Sequence, residues 1–289
     1  MDTDVIVNIV RDDLKTFRID NETWHIPSNN GLQNFGVFEN DISIIDNAVS
    51  DGAMISSYRM GSIDRTIVFH NKNPRKTNKA LRNAVLAFFN TKHTYKIYVT
   101  YMGVTRWCEG MVYRADIPTL NINWEIECTI TFLCPNPYMK SYDDYGKDIA
   151  SIIPMTGFPY LCTEKDGCPT GAYAFSQYAV LNNDGDTDAS FKAIIKALGN
   201  VKNPKLVVNG YYVRIITDMI EDDTIEMDFT ASPPTIKKNG KNCIGFCDRT
   251  STFDKMYLEI GDSEISFDAD EGTNLLSVSI YFNKLYCAI

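Results

Sequence analysis

The chain has 289 residues, 44% of them hydrophobic and 22% charged, with a formal net charge of −9 at pH 7. That length exceeds what one compact core usually holds and points to two domains. The composition is that of an ordinary globular chain, and no apolar run approaches the roughly 20 residues of a membrane helix, which argues against membrane insertion.

The charge is uneven. Residues 1–140 carry 15 basic and 15 acidic side chains, whereas residues 141–289 carry 13 and 22. Such asymmetry supports two domains with different surfaces, and the acidic half argues against non-specific binding to nucleic acid or anionic membranes. The opening "MDTDVIVNIVRDDLKTF" places Asp2 and Asp4 where a secretory signal needs basic residues, so synthesis and folding in a cytosol are expected.

Taken in order, the first half is mostly strand-like. "DVIVNIV", "DISIID", "MISSYRMG", "RTIVFHN", "YKIYVTYMG", "RWCEGMVYRAD" and "NWEIECTITFLC" are rich in β-branched and aromatic residues and are separated by turn residues. One segment, 74–90, predicts a helix: Asn73 and Pro74 suit its start, and Leu81, Ala84, Val85 and Phe88 recur at helical spacing. Arg75, Lys76, Lys79 and Arg82 have the wrong sign for the positive end of the helix dipole, so they read as a solvated face or a contact with acids on a neighbour. In "IECTITFLCPNPYMKSY" the period-two pattern of Ile126, Cys128, Ile130, Phe132 and Cys134 predicts a strand that Pro135 and Pro137 then stop. This predicts a domain over 1–141, a linker over 142–158 and a second domain over 159–289.

The second half shows no helical period. "AFSQYAVLNNDGDTDASFKAIIKALG" predicts two strands around an Asp/Asn/Gly turn. "KLVVNG", "YYVRIITDM", "DTIEMDFT", "KMYLEIG", "SEISFDAD" and "LLSVSIYFNKLYCAI" follow at a spacing that suggests an antiparallel sandwich. The expected fold class is mainly β: a barrel-like N-terminal sheet domain with one helix and a long hairpin, plus a C-terminal β-sandwich.

No chemistry-bearing motif stands out. His25, His70 and His93 are scattered, without a nucleophile beside them in a motif, and no phosphate-binding glycine loop is present. Of eight cysteines, Cys108, Cys128, Cys134 and Cys287 read as core residues of strands. Cys162, Cys168, Cys243 and Cys247 lack the short Cys-x-x-Cys knuckle of a zinc site, and reduced structural thiols are the better reading. Asp184, Asp186 and Asp188 copy the start of a calcium loop, but Ala189 stands where glycine is needed and Ile195 where the bidentate glutamate belongs. A solvated hairpin turn explains these acids. Asp222 and Asp223, within "IEDDTIEMD", read as a turn rather than as paired glycosidase acids. Tyr211 and Tyr212 could stack on a sugar, but they alternate with valines in a strand. No catalytic, cofactor-binding or metal-ligating residue is assigned.

The order of features in the first half resembles the distal tail proteins of long-tailed phages and phage-tail-like particles. The resemblance rests on "DGAMISSYRMGSIDRTIVF" (51–69), the single helix after it, the hairpin "YKIYVTYMGVTRWCEGMVYRAD" (95–116) and the strand ending in Pro and Tyr, "IECTITFLCPNPYMKS". The second half is similar to the galectin-like sandwich appended to many of these proteins, with "VLNNDGDTDASFKAII" as its first hairpin and "TNLLSVSIYFNKLYCAI" as its closing strands. Residues 1–50 match that pattern poorly, and "GCPTGAYAF" has no place in it. The resemblance implies a non-enzymatic virion component at the tail tip, forming a homo-hexameric ring between the tail tube protein and the baseplate hub, a tail-associated lysin or a fibre protein. A host-surface carbohydrate-binding module and a tail-attached cell-wall hydrolase are the competing readings, the first with a host glycan as partner.

Overall fold

Alternation of buried and half-buried residues along "IVNIVR" makes β1 (Ile6–Arg11) a strand with Val7 and Ile9 on its core face. In a computed structural model the chain is mainly β, and the structure describes residues 5–47, 50–71, 78–119, 126–142, 145–148, 151–154, 171–174 and 178–289. Further strands of the first half are β2 (Thr16–Ile19), β3 (Trp24–His25), β4 (Leu32–Gln33), β5 (Asn40–Asp46), β6 (Ala53–Met60) and β7 (Ile63–Asn71). Helix α1 (Asn78–Phe88) follows, then β8 (Thr94–Tyr101), β9 (Val104–Asp116), β10 (Glu127–Cys134) and β11 (Met139–Ser141).

These strands, except β5 and β6, form a nearly closed, barrel-like antiparallel sheet in the order β2-β1-β8-β9-β10-β7-β3, with β4 added against β7. The expected long hairpin is β8–β9, paired from Thr94↔Met111 to Tyr101↔Val104. Its turn residues Met102 and Gly103 both have positive φ, the conformation that matches the twist of a two-residue hairpin loop.

Helix α1 covers the sheet with Val85 and Phe88, and Phe89 follows them into the core. Phe17, Trp24, Phe69, Phe88, Phe89, Tyr95 and Phe132 form one aromatic cluster with ring centroids about 5–6 Å apart. Arg11 closes the helix from the sheet side, donating to the carbonyls of Ala87 and Phe88 at 3.0 and 2.9 Å. Its guanidinium also holds the Asp13 carboxyl well below the usual carboxylate range. Asn73, Pro74, Arg75 and Lys76 lie outside the described residues. Arg82, half-buried, donates its Nε to the Pro118 carbonyl at 2.9 Å.

The prolines after β10 do not end this unit, contrary to the sequence expectation. Strand β11 resumes along the same edge of β9, with Lys140↔Trp107 and Ser141↔Arg106 paired and Trp107 Nε1 donating to Ser141 O at 2.9 Å. Pro135 and Pro137 thus make a gap in an edge rather than an exit from it.

The second half continues with β12 (Tyr145–Asp148), β13 (Ser151–Pro154), β14 (Gly171–Ala174), β15 (Tyr178–Asn183), β16 (Phe191–Ala197), β17 (Val201–Lys202), β18 (Lys205–Val208), β19 (Tyr211–Arg214) and β20 (Asp218–Met219). It closes with β21 (Thr224–Asp228), β22 (Thr235–Lys238), β23 (Lys241–Asn242), β24 (Gly261–Asp268), β25 (Leu276–Phe282) and β26 (Leu285–Tyr286). The sheets β12-β25-β16-β21-β22-β23 and β15-β24-β18-β19 share one hydrophobic core, including Phe191, Ile195, Leu206, Val213, Ile225, Ile265, Phe267 and Val278. This is the expected antiparallel sandwich.

Three details differ from the sequence reading. Strands β12 and β13 occupy the segment 142–158 expected as a linker; four-residue strands are too short to show a period, and β12 gains its order by pairing with β25. "DGDTD" joins β15 in one sheet to β16 in the other, so it is a crossing between sheets and not a hairpin. Finally, the last residues leave the sandwich. The two compact units are Met1–Tyr142 with Leu285–Ile289, and Asp143–Lys284, so the expected domain end at 289 moves to 284.

The return is built from specific contacts. Strand β26 pairs with β11 through Met139↔Tyr286 and Lys140↔Leu285. Arg106 lies 3.7 Å above the Tyr286 ring centroid and donates to the Ala288 carbonyl, and Ile289 N donates to Phe35 O at 3.1 Å. Deleting residues 285–289 leaves the half-buried Arg106 without these partners, a loss of roughly 1–3 kcal/mol. The melting transition of the first unit should fall by about 5 °C or more while that of the second is unchanged. A first-unit transition that stays in place would show that the returning segment contributes nothing.

Candidate functional site

Strands β5 and β6 pair only with each other among the described strands. Their register sets Ile42 opposite Tyr58, Ile44 opposite Ile55 and Ile45 opposite Met54, with an irregularity between Ser43 and Ile44. Successive residues of a strand point to opposite sides, so Ile44 and Ile45 give this ribbon an apolar surface on both faces. All six side chains are exposed, Tyr58 to 75% and Ile55 to 65%, and Val37 and Phe38 extend the exposed apolar surface along the segment leading into β5. A lone two-stranded hairpin is marginally stable in water, and contiguous exposed apolar patches of this kind mark interaction sites.

The ribbon springs from a rigid root. Asn34 Nδ2 donates to Asp64 O at 2.8 Å, tying the residue before the ribbon to the residue after it. Arg65, fully buried on β7, donates through Nη2 to Pro137 O at 2.6 Å, through Nη1 to the Met139 sulfur, and lies 5.5 Å from the Phe35 ring centroid. Its Nε has no hydrogen-bond partner. Beside the root is a cleft of about 460 Å³ lined by Val37, Met60, Tyr113, Leu133 and Pro137 among others. Tyr113 and Leu133, with Met111 next to them in the β9–β10 register, carry the exposed apolar surface onto the outer face of the sheet.

The residues weighed as chemical sites do not assemble into one. His25 Nδ1 meets Asn21 Oδ1 at 2.9 Å and its ring lies 4.9 Å from that of His70, whereas His93 pairs separately with Asp12 at 2.7 Å. Asp184 is paired with Lys284, and Asp188 accepts from the Ile260 backbone. Ala189 and Ile195 are core residues of the sandwich. Asp223 is held at about 2 by hydrogen bonds from Asn239 and Lys238. Asp222 pairs with Lys196 and Glu226 with Lys192, so these acids belong to separate surface pairs. Burial pushes the thiols of Cys243 and Cys247 up, Cys247 to about 11; Cys162 and Cys168 lie outside the described residues. Among the described residues no group of three or more His, Cys, Asp or Glu is placed to hold a metal. Tyr211 is exposed, but the Tyr212 ring is covered by Lys205 at 4.3 Å and its hydroxyl is bonded to Thr250.

Sequence reasoning missed the exposed ribbon. From the sequence "DISIID" reads only as a strand, and the clash of three isoleucines with a strict alternation is the signal that both faces are apolar.

No sequence-family profile matches the chain, and no curated protein matches it in sequence. Solved structures do share its fold. The chain aligns over 96% of its length with 98% of the phage SPP1 Dit (gp 19.1) protein, described as a paradigm of the hub adsorption apparatus of phages infecting Gram-positive hosts, at a TM-score of 0.66 and 9% identity. It aligns over 99% of its length with 99% of a chain from the phage P2 baseplate in its activated conformation, with TM-scores of 0.53 and 0.56 in the calcium and strontium forms and 10% identity. The fold is therefore that of phage tail-tip hub proteins, over both units. The resemblance to distal tail proteins read from residues 51–142 is matched at the level of fold.

The root generates a test. Arg65→Ala removes a large buried side chain and should cost about 2–5 kcal/mol. Arg65→Met keeps most of the volume and removes a buried charge that pairs with no carboxylate among the described residues, so it should stay within about 1 kcal/mol of the wild type. Urea unfolding measures both. Equal losses would mean that the charged head, rather than its packing, holds the root.

Proposed function

We propose that the chain is a non-enzymatic structural component of a phage or phage-like tail tip. It forms a six-fold ring between the tail tube and the adsorption hub. The observation that carries this is the β5–β6 ribbon, apolar on both faces and uncovered. Covering its six large side chains contributes on the order of 10 kcal/mol. That is close to the 4–15 kcal/mol or so lost in free translation and rotation on association. One ribbon contact alone is therefore weak. A closed ring supplies two contacts per protomer from one repeated interface, because a head-to-tail contact that closes by rotation uses the donor patch of each copy and the acceptor patch of the next. The ribbon serves as donor, and Met111, Tyr113 and Leu133 with the adjoining cleft as acceptor. The shared fold with hub proteins over nearly the whole chain supports the same reading. The other partners proposed are the tube protein and a hub, lysin or fibre protein.

Light scattering on the full chain over a concentration series tests it. The wild type should form a closed oligomer, and the double variant Ile44→Asp/Met54→Asp should be monomeric. Both positions are exposed, so the variant's stability should stay within about 0.5 kcal/mol of the wild type. A wild type that remains monomeric throughout, or a variant that assembles equally well, would overturn the assignment of the ribbon.

A further inference from the structure

Cys108 on β9 and Cys134 at the end of β10 are both buried, and their sulfurs lie 4.0 Å apart with Cys134 donating. They sit at the gap that Pro135 and Pro137 open in the edge along β9. Gly110 stands against Cys134: a Cβ there would come within 3.0 Å of the Cys134 sulfur and 2.9 Å of Leu133 O. Glycine thus leaves the space in which the Cys134 sulfur sits. The buried guanidinium of Arg65, with no carboxylate partner among the described residues and its Nε unpartnered, acts electrostatically on both thiols.

We propose that Cys108 and Cys134 are a nucleophilic and a resolving thiol, which close to a disulfide when the protein meets a hydroperoxide. The roles follow from the surroundings. The hydrogen bond from Cys134 lowers the Cys108 thiol, burial opposes it, and the Arg65 guanidinium adds to the lowering, so the net shift favours the Cys108 anion. The same bond, with burial, raises Cys134 and keeps its proton in place. Cys128, on the same strand as Cys134, is pushed up to about 12 by burial and serves as the unreactive reference. Reactivity of a thiol follows its thiolate, so the asymmetry selects Cys108 for the first step.

In that step the Cys108 thiolate attacks one peroxide oxygen. The O–O bond breaks, the departing alkoxide or hydroxide takes a proton, and Cys108 becomes a sulfenic acid. The Cys134 sulfur then attacks the sulfenic sulfur, the S–O bond breaks, and the hydroxide leaves with the Cys134 proton as water. Overall, two thiols and one hydroperoxide give one disulfide, one alcohol (water, for hydrogen peroxide) and one water, with two electrons passing from sulfur to oxygen. Both sulfurs are buried, so oxidation proceeds through locally opened molecules, which hydrogen peroxide, small and uncharged, can enter. The bridge would staple β10 to β9 beside the root of the ribbon. Its use rests on the tail-tip reading: a particle assembled in a reducing cytosol and released into an oxidising medium gains a covalent tie after assembly.

The test needs no assembly, so its failure is distinct from failure of the ring. The reduced full-length chain is treated with a small excess of hydrogen peroxide and mapped by peptide mass spectrometry. The expected result is a loss of about 2 Da, from a bridge between the peptides carrying Cys108 and Cys134. Cys134→Ser, and Cys134→Ala as a second variant should the first fold poorly, should stop at a Cys108 sulfenic acid trapped by dimedone. Cys108→Ser should give neither product at these positions. Arg65→Met should slow oxidation of Cys108 roughly tenfold. Oxidation of Cys108 no faster than that of Cys128, or the absence of a dimedone adduct in both Cys134 variants, would overturn the proposal.

Discussion

Apolar surface left in water carries a free-energy cost proportional to its area, and the β5–β6 ribbon bears that cost on two faces at once. Most of the apolar surface elsewhere is packed within each unit. The barrel-like sheet packs its alternating residues against α1 and the aromatic cluster around Phe69 and Tyr95, and the sandwich packs two sheets against each other. The ribbon pairs with no other strand among the described residues, yet its root is tied to the sheet through Asn34, Arg65 and the chain around Pro137. An exposed apolar element on a tied base suits the proposed subunit contact: the base would set the angle between neighbours, and the ribbon would supply the area.

The same segment links the ribbon to the rest of the chain. Strand β10 runs along β9, breaks at Pro135 and Pro137, and resumes as β11, and the break is where the Pro137 carbonyl meets Arg65. Strand β26 then adds to β11, so the point at which the chain leaves the first unit is hydrogen-bonded to the point at which it returns. Residues Asp143–Lys284 form an inserted unit with its own core. An insertion fastened at both ends can change its surface without disturbing the sheet that carries it. This fits the uneven charge, with a balanced first half and an acidic second.

Much of the fold was legible because local pattern and burial agree. Ile126, Cys128, Ile130, Phe132 and Cys134 alternate and are all buried, and the helix face of Val85 and Phe88 meets the core. The reading failed where tertiary pairing decides. "KMYLEIG" looked like a strand, but Met256 and Leu258 are buried through a short 3₁₀ turn and a single bridge to Ala189. The hairpin β22–β23 was missed because its strands are short and lysine-rich, although Asn239-Gly240, both at positive φ, carries the turn signal. Leu285 and Tyr286 were assigned to the sandwich because they follow β25 directly, and nothing local marks Arg106 as the residue that draws them back. The candidate surface was the least legible part: an isoleucine-rich strand reads as core whether its cover comes from its own chain or from another molecule.

Backbone hydrogen exchange over residues 40–60 addresses that last distinction most directly, comparing the dissociated chain with its assembled oligomer. The account predicts that amides of β5 and β6 exchange rapidly in the free chain, as expected for a solvated ribbon, and are slowed at least about tenfold on assembly. Amides of β16 and β25 in the sandwich core should be equally protected in both states. Unchanged exchange in the ribbon of a fully assembled oligomer would place the subunit contact elsewhere and contradict the account.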